Sequence, residues 1–457
     1  MKVNNIIVIA FAILLASCSV SKNCKAPKLN LPSHIVNGLE DSVSIADAKW
    51  WEFYGDSTLC NIITKTLENN KDMLIAIEKM EKLQHLYKAD KFNFLPSITG
   101  KGLVDAETKN YGGENFKRSD EYSAKGSLSW ELDFFGSLRS AKQKNLAEFL
   151  ASVEQKRATQ MLLVANVASE YYKLLALDNE LNIVKRTLMT RSDGVHQAKL
   201  RFEGGLTSET IYQQAKVEYA SAAALIPELE KKIRISESTI ALLMGEYPNW
   251  RIKRDIIKLD LSFPDSLSVG IPSTLLQKRP DVMAADQQLK SAMAAAGIAY
   301  ADCFPKIIFN LGGGWENGEL KDLLKSPFSY IAGNLLSPII GYGNKRAKYK
   351  ASISAYNEAR LAYEKKVLEV FKEVDDAIIT YKQAQQTKEL KANLSEAAYK
   401  YVELAGLQYS SGSINYIEVL DAQRKYFDSQ IGLSNAIRDQ YLALVQLYKA
   451  LGGGWEK

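Results

Sequence analysis

LAGLQYSSGSINYIEVLDAQR (Leu404–Arg424) is the point at which one very long helical pattern stops and another starts at once. The break falls on Ser410-Ser411-Gly412-Ser413: Gly412 can take the left-handed conformation that ends a helix, and Ser413 offers a hydroxyl to cap the next one. Just inside the second helix, Glu418, Asp421 and Arg424 recur every three residues, which puts them on one helix face within the first turns. Two readings stay open here. The three charges are a solvated i,i+3 set, the usual fate of such residues in a chain that is 24% charged, or they line the narrow charged end of a pore.

Outward from this stretch the sequence repeats itself. Phe202 and Gly205 match Tyr409 and Gly412, Leu243-Met244-Gly245 matches Ala450-Leu451-Gly452, and Phe135-Gly136 with Arg139 matches Tyr342-Gly343 with Arg346, all at an offset of 207 residues. Upstream, Asp72 pairs with Asp281 and Phe94-Leu95-Pro96 with Cys303-Phe304-Pro305 at an offset of 209. An offset held over so long a span is an internal duplication, and it overrides the three domains that 457 residues would otherwise suggest.

Each copy reads as helix, strand, loop, strand, long helix, tight turn, helix. The first helix is expected over Leu59–Phe92. The long ones are expected from Leu138 to about Leu200 and from Lys345 to Ser410, in tracts free of proline. The former would be on the order of 90 Å long. Val164, Val167, Tyr171, Leu174, Asp178, Leu181, Lys185 and Leu188 keep coiled-coil spacing along it, so it must lie against neighbours. The return helices are expected over Thr207–Met244, with a kink or break at Pro227, and over Ile414–Leu451.

The strands alternate. Tyr122, Ala124, Gly126, Leu128, Trp130 and Leu132 share one face, with Ser123, Lys125, Ser127, Ser129 and Glu131 on the other. Ile307, Phe309, Leu311, Gly313 and Trp315 do the same in the second copy, beside weaker partners at Ser97–Thr108 and Phe328–Leu336. Period two with aromatic ends is the pattern of a lipid-facing barrel strand, with a sandwich strand that has one wet face as the alternative. Glycine- and charge-rich connections at Asn110–Asp120 and Asn317–Pro327 read as loops. Four strands cannot close a transmembrane barrel, so copies of the chain would have to pool them.

The N-terminus carries Lys2, an apolar run over Ile6–Ala16, and Leu15-Ala16-Ser17-Cys18, too short to span a bilayer and suited to an export signal. No later apolar run approaches a spanning helix, and Cys24, Cys60 and Cys303 are too scattered for a disulfide framework. A formal charge of +5 gives no basic stripe for nucleic acid. His34, His85 and His196 are far apart and no HExxH, GxSxG, CxxC or phosphate-loop lysine motif is present, so an enzyme, a metal site or a bound cofactor is not expected. Gly312-Gly313-Gly314 lies within a strand, where small side chains would be a packing need.

Three motifs in order then carry a resemblance. Leu15-Ala16-Ser17-Cys18 resembles a bacterial lipobox. IPSTLLQKRPD (Ile271–Asp281), continuing through Gly297-Ile298-Ala299 to Phe304-Pro305, with VLDAQR (Val419–Arg424) and the ending ALVQLYKALGGGW (Ala443–Trp455), resembles the TolC-like outer-membrane efflux proteins in their lipoprotein branch. The resemblance implies a mainly α protein with a small β part and two structural repeats. It implies a homotrimer whose twelve strands form one barrel in the outer membrane, continued by a long periplasmic α-helical barrel. Residues 1–17 would be the signal peptide and 18–58 a lipid-anchored segment with lipid on Cys18. The repeats would be 59–245 and 273–452, separated by a connector at 246–272 and followed by a tail at 453–457.

Partners implied are outer-membrane lipid, a periplasmic adaptor (membrane fusion protein) and an inner-membrane transporter of the resistance-nodulation-division type. Glu418, Asp421 and Arg424 would form the periplasmic gate, with six carboxylates around the trimer axis, and the turns at Gly205 and Gly412 would meet the adaptor. One departure stands out: at offset 207, Ile211 and Gln214 face Glu418 and Asp421, so one helical pair alone supplies the charges. A type I secretion channel, a coiled-coil stalk and a lipoprotein enzyme remain as alternatives.

Overall fold

The computed structural model describes residues 24, 27–29, 44–109, 117–248, 252, 254, 272–336 and 341–455. The expected signal peptide, Cys18, His34, the tip of the 110–120 loop and most of the 246–272 connector lie outside the described residues.

The first copy contains α1 (Trp50–Tyr54), α2 (Ser57–Asn69), α3 (Lys71–Phe92), β1 (Ser97–Lys109), β2 (Lys117–Leu132), α4 (Ser137–Glu203) and α5 (Glu209–Leu243). The second contains α6 (Pro272–Lys278), α7 (Pro280–Ala301), β3 (Lys306–Asn317), β4 (Pro327–Leu336), α8 (Tyr342–Ser410) and α9 (Tyr416–Ala450). Duplication extends to length: α5 and α9 each have 35 residues, and α4 and α8 have 67 and 69. At 1.5 Å per residue the last two are each about 100 Å long.

Three expectations are corrected. The single helix expected over Leu59–Phe92 is two helices, because Asn70 is extended (φ −61°, ψ 131°) and its Oδ1 accepts from the amides of Asp72 (2.9 Å) and Met73 (3.2 Å), capping α3. The glycine that opens α8 is Gly341 (φ +106°), the counterpart of Gly136 (φ +77°), whereas Gly343 is helical. Thus the 207-residue register holds along the helices, but α8 starts two residues early. Pro227 is exposed and α5 runs through it unbroken; the ring only deprives the Ala223 carbonyl of its helical donor.

The described residues group into two compact units. One includes Glu78–Glu154 and Met283–Lys366 and holds the sheet. Its four strands lie in the order β1-β2-β3-β4, all antiparallel, so β2 and β3 join the two copies. Register aligns like with like: Ile98 opposes Leu128, Trp130 opposes Phe309, and Leu311 opposes Ile331. Ile98, Val104, Trp130, Phe309, Trp315 and Ile331 on that face are exposed. The other face carries Thr99 bonded to Ser127 at 2.8 Å and ion pairs Lys125–Glu316 (2.8 Å) and Lys306–Glu131 (3.1 Å).

The glycine run is indeed a packing need. A Cβ on Gly312 would stand 2.7 Å from the Tyr330 ring, and one on Gly314 only 2.0 Å from the Ala124 carbonyl oxygen. No described helix is long and apolar enough to cross a membrane.

The second unit includes Gln155–Val282, Val367–Lys457 and the described part of Asn30–Ile77. Its core buries the stripe read from α4, with Val164, Val167, Tyr171 and Leu174 all at 3% exposure or less, against Leu59, Ile63, Ile240, Val445 and Tyr448. Asp178, a polar position in that stripe, pairs with Arg254, which also reaches Glu237 at 2.7 Å.

Two matched clamps close this unit. Asn70 Nδ2 donates to the Leu243 carbonyl at the end of α5 (2.8 Å), and Arg279 Nη1 donates to the Ala450 carbonyl at the end of α9 (2.7 Å). Gly245 and Gly452 follow with φ of +74° and +91°, where a Cβ would stand 2.6 Å from the Asn69 carbonyl oxygen and 2.8 Å from that of Lys278. The clamps differ in charge. Arg279, 4% exposed, also pairs with Asp281 (2.8 Å) and Glu373 (2.7 Å), and Lys449 reaches Glu373 at 3.3 Å.

Removing Arg279 strands the buried Ala450 carbonyl and takes a counter-charge from Asp281 and Glu373, whose side chains are 21% and 37% exposed, so Arg279→Ala should cost about 2–3 kcal/mol. Asn70→Ala removes one helix cap and one neutral donor and should cost about 1–2 kcal/mol. Thermal unfolding followed by circular dichroism in detergent checks the order; equal losses would mean the charges add nothing to the clamp.

Candidate functional site

The remaining end of the helical pairs holds every gate and turn residue read from the sequence. Both turns are built alike. Gly205 (φ +72°) donates to the Phe202 carbonyl (3.0 Å) and Leu206 to that of Arg201 (2.8 Å); Gly412 (φ +79°) donates to Tyr409 (3.0 Å) and Ser413 to Gln408 (2.9 Å). This paired closure satisfies the last helical carbonyls and requires a left-handed residue. Ser413 does not cap α9: its Oγ lies 2.9 Å from Ser411 Oγ, and α9 begins at Tyr416 behind Asn415, which makes no side-chain cap bond. Ser208 before α5 makes none either. The serine is consumed within the turn, and α9 starts three residues later.

The hairpin α4–α5 is tied to the hairpin α8–α9 by side chains next to these turns. Arg201 Nη1 donates to Tyr409 Oη and its guanidinium stands 5.0 Å over the same ring. Tyr409 and Tyr416 lie 5.3 Å apart, and Gly194 leaves room for the Tyr416 hydroxyl, which a Cβ there would approach to 3.0 Å. Beneath them Ala405, Val419 and Ala422 form a small buried cluster of α8 and α9.

Of the three expected gate charges, the structure brings two together. Arg424 Nη2 is 3.7 Å from Asp421 Oδ1, but Lys425 Nζ is nearer, at 2.9 Å from Oδ2. Lys425 holds the Asp421 carboxyl below its ordinary value. Glu418 stands exposed in the first turn of α9, where the helix dipole favours a carboxylate. Arg424 also faces across to α5, with Nε 3.8 Å from Glu218 Oε1, and Glu218 binds Arg191 of α4 through its carboxylate (3.2 Å) and its backbone carbonyl (2.6 Å). Burial pushes the Arg191 guanidinium down, and Glu218 opposes that shift.

Sequence reading therefore missed Lys425, Glu218, Arg191 and Arg201. Two signals pointed to the first two: Lys425 lies four residues after Asp421, and Glu218 occupies its place in the other copy at offset 207. Among the described residues no group of three His, Cys, Asp or Glu is placed to hold a metal ion.

Strand pairs with an exposed apolar face, inserted at matching points between duplicated helical hairpins, suit a protein that works in a membrane. The chain belongs to the outer membrane efflux protein family, which matches residues 62–246 and 271–453, one stretch per copy. It is similar to the solvent efflux pump outer membrane protein SrpC of Pseudomonas putida, at 30% identity over 97% of each chain. It is also similar to the probable outer membrane lipoprotein SilC of Salmonella typhimurium, at 28% identity over 96% of this chain and 92% of the relative. Crystal structures of CusC, described for conformational changes that accompany folding and transmembrane channel formation, superpose with a TM-score of 0.83 at 25% identity, covering 94% of this chain and 99% of that one. The protein is thus an outer-membrane channel of efflux, built on two repeats of helix, strand pair and long helical hairpin.

Because its folded value is depressed, the Asp421 carboxylate contributes its pairing fully above pH 3.8 and loses it as pH falls through the lower folded value. The difference in melting temperature between the native protein and Asp421→Asn should stay constant from about pH 8 to about pH 5 and shrink below about pH 4. A difference that grows on acidification would overturn the pairing.

Proposed function

We propose that the chain works as a passive, gated exit duct assembled from three copies. The observation that carries this is the four-stranded sheet: one face is apolar and exposed, and β1 and β4 each have one edge without a partner strand among the described residues. In a bilayer, unpaired backbone edges have no water to satisfy them, so a spanning sheet has to close on itself. Three chains pooling four strands each give a twelve-stranded barrel, within the size range of such barrels.

Cys18 is the first residue of the mature chain and carries the lipid that anchors it, in keeping with the lipoprotein name of SilC. A periplasmic adaptor engages the helix turns at Gly205 and Gly412, and an inner-membrane transporter of the resistance-nodulation-division type delivers the cargo. Choice of cargo rests with that transporter. Glu418, Asp421 and Arg424 form the periplasmic aperture, which opens when the α8–α9 hairpin moves away from α4–α5. That motion breaks Arg201–Tyr409 and Arg424–Glu218, pairs that reach from one hairpin to the other. Exposed pairs of this kind are worth about 0–1 kcal/mol each, weak enough for an adaptor to displace.

Single-channel conductance in a planar bilayer tests the duct and its gate together. Native protein should give a small or flickering current that becomes large in the double variant Glu418→Ala with Asp421→Ala. Equal and large currents would move the gate elsewhere, and no current from either protein would remove the duct.

A further inference from the structure

Between the two helical hairpins lies a cavity of about 310 Å³ that the gate does not use. Arg186 and Arg191 line it from α4, and Gln423, Tyr426, Phe427 and Gln430 line it from α9. Its size falls at the lower end of small-molecule sites, and its wall is more polar than is usual for them, with the rings of Tyr426 and Phe427 set among arginine, threonine and glutamine side chains.

The charge of the lining is one-sided. It holds two guanidinium groups and no carboxylate. Arg191 has a side chain only 7% exposed, and the carboxylate that serves it, Glu218, is shared with Arg424. Glu218 thus serves Arg191 and also reaches Arg424, which has Asp421 at 3.7 Å as well; none of these carboxylates lines the cavity, and the second lining guanidinium, Arg186, is exposed. The Phe427 ring lies 5.2 Å from the Arg191 guanidinium, which places a flat apolar surface next to the buried charge. Gln430 Nε2 donates to Tyr426 Oη (3.0 Å), fixing two of the polar groups of the wall. Guanidinium groups bind carboxylates and sulfonates through paired, charge-assisted hydrogen bonds, and a low-dielectric setting strengthens them.

We propose that this cavity binds a small organic anion, a carboxylate or sulfonate on a planar apolar body, with the anionic group towards Arg186 and Arg191 and the body against Phe427. Since α4 and α9 belong to different hairpins, the bound anion touches both and ties them together. Binding is read without any current, so this site stands or falls separately from the gate.

Isothermal titration of the full-length protein in lipid nanodiscs, with 2-naphthalenesulfonate as the probe, tests it. Saturable binding at one probe per chain is expected, with the neutral analogue 2-naphthalenemethanol about tenfold weaker, since a hydrogen bond between the sulfonate and the buried Arg191 guanidinium is worth about that factor. Arg186→Gln, which removes an exposed guanidinium, should weaken the sulfonate about two- to fivefold. Thr190→Trp, which fills the cavity from an exposed position on α4, should abolish binding. Equal affinity for the neutral analogue, native affinity in either variant, or no saturable heat would each overturn the proposal.

Discussion

A helix ends in carbonyl groups that have lost their donors, and the helical hairpins depend on where two of those carbonyls go. Leu243 at the end of α5 and Ala450 at the end of α9 are each met by a side chain from the junction just before α3 or α7. Neither carbonyl could be buried otherwise without a penalty of about 1–3 kcal/mol. With those ends pinned and a glycine forced close behind each, the helices are anchored at one end and free to lean on each other along the rest of their length. The core around Val164, Leu174, Ile240 and Val445 packs where the clamps hold, and the turns at Gly205 and Gly412 lie at the other end of the same helices.

Duplication kept the backbone and released the side chains. Asn70 and Arg279 perform the same hydrogen bond, yet the arginine recruits Asp281, Glu373 and Lys449 into an ionic cluster that has no counterpart at Asn70 among the described residues. The turn end shows the converse: Lys425 and Glu218 hold equivalent places with opposite charge, and each pairs within its own hairpin, Lys425 with Asp421 one turn earlier on α9 and Glu218 with Arg191 on α4. What crosses between the hairpins is the contact of Glu218 with Arg424, the neighbour of Lys425.

Much of the architecture was legible because it rests on periodicity. The strand alternation at Tyr122–Leu132, the apolar stripe of α4 and the glycines at 205 and 412 are local signals, and each appears in the structure with the predicted face or conformation. What escaped reading depends on competition between local partners or on contacts distant in the chain. Ser413 had the right chemistry for a cap, but Ser411 takes its hydroxyl and the helix starts later. Asn70 was hidden inside an unbroken helical pattern because its capping role is secured by Leu243, 173 residues away. At the start of α9, spacing placed Asp421 and Arg424 on one face, whereas the link to Glu218 crosses between hairpins and leaves no local trace.

Pro227 gives the paired hairpins a mechanical difference. The return helices have equal length, but α5 lacks one rung of its hydrogen-bond ladder midway and α9 lacks none from proline. A sideways load of the same size therefore flexes α5 at that rung before it flexes α9, so two hairpins alike in length differ in stiffness.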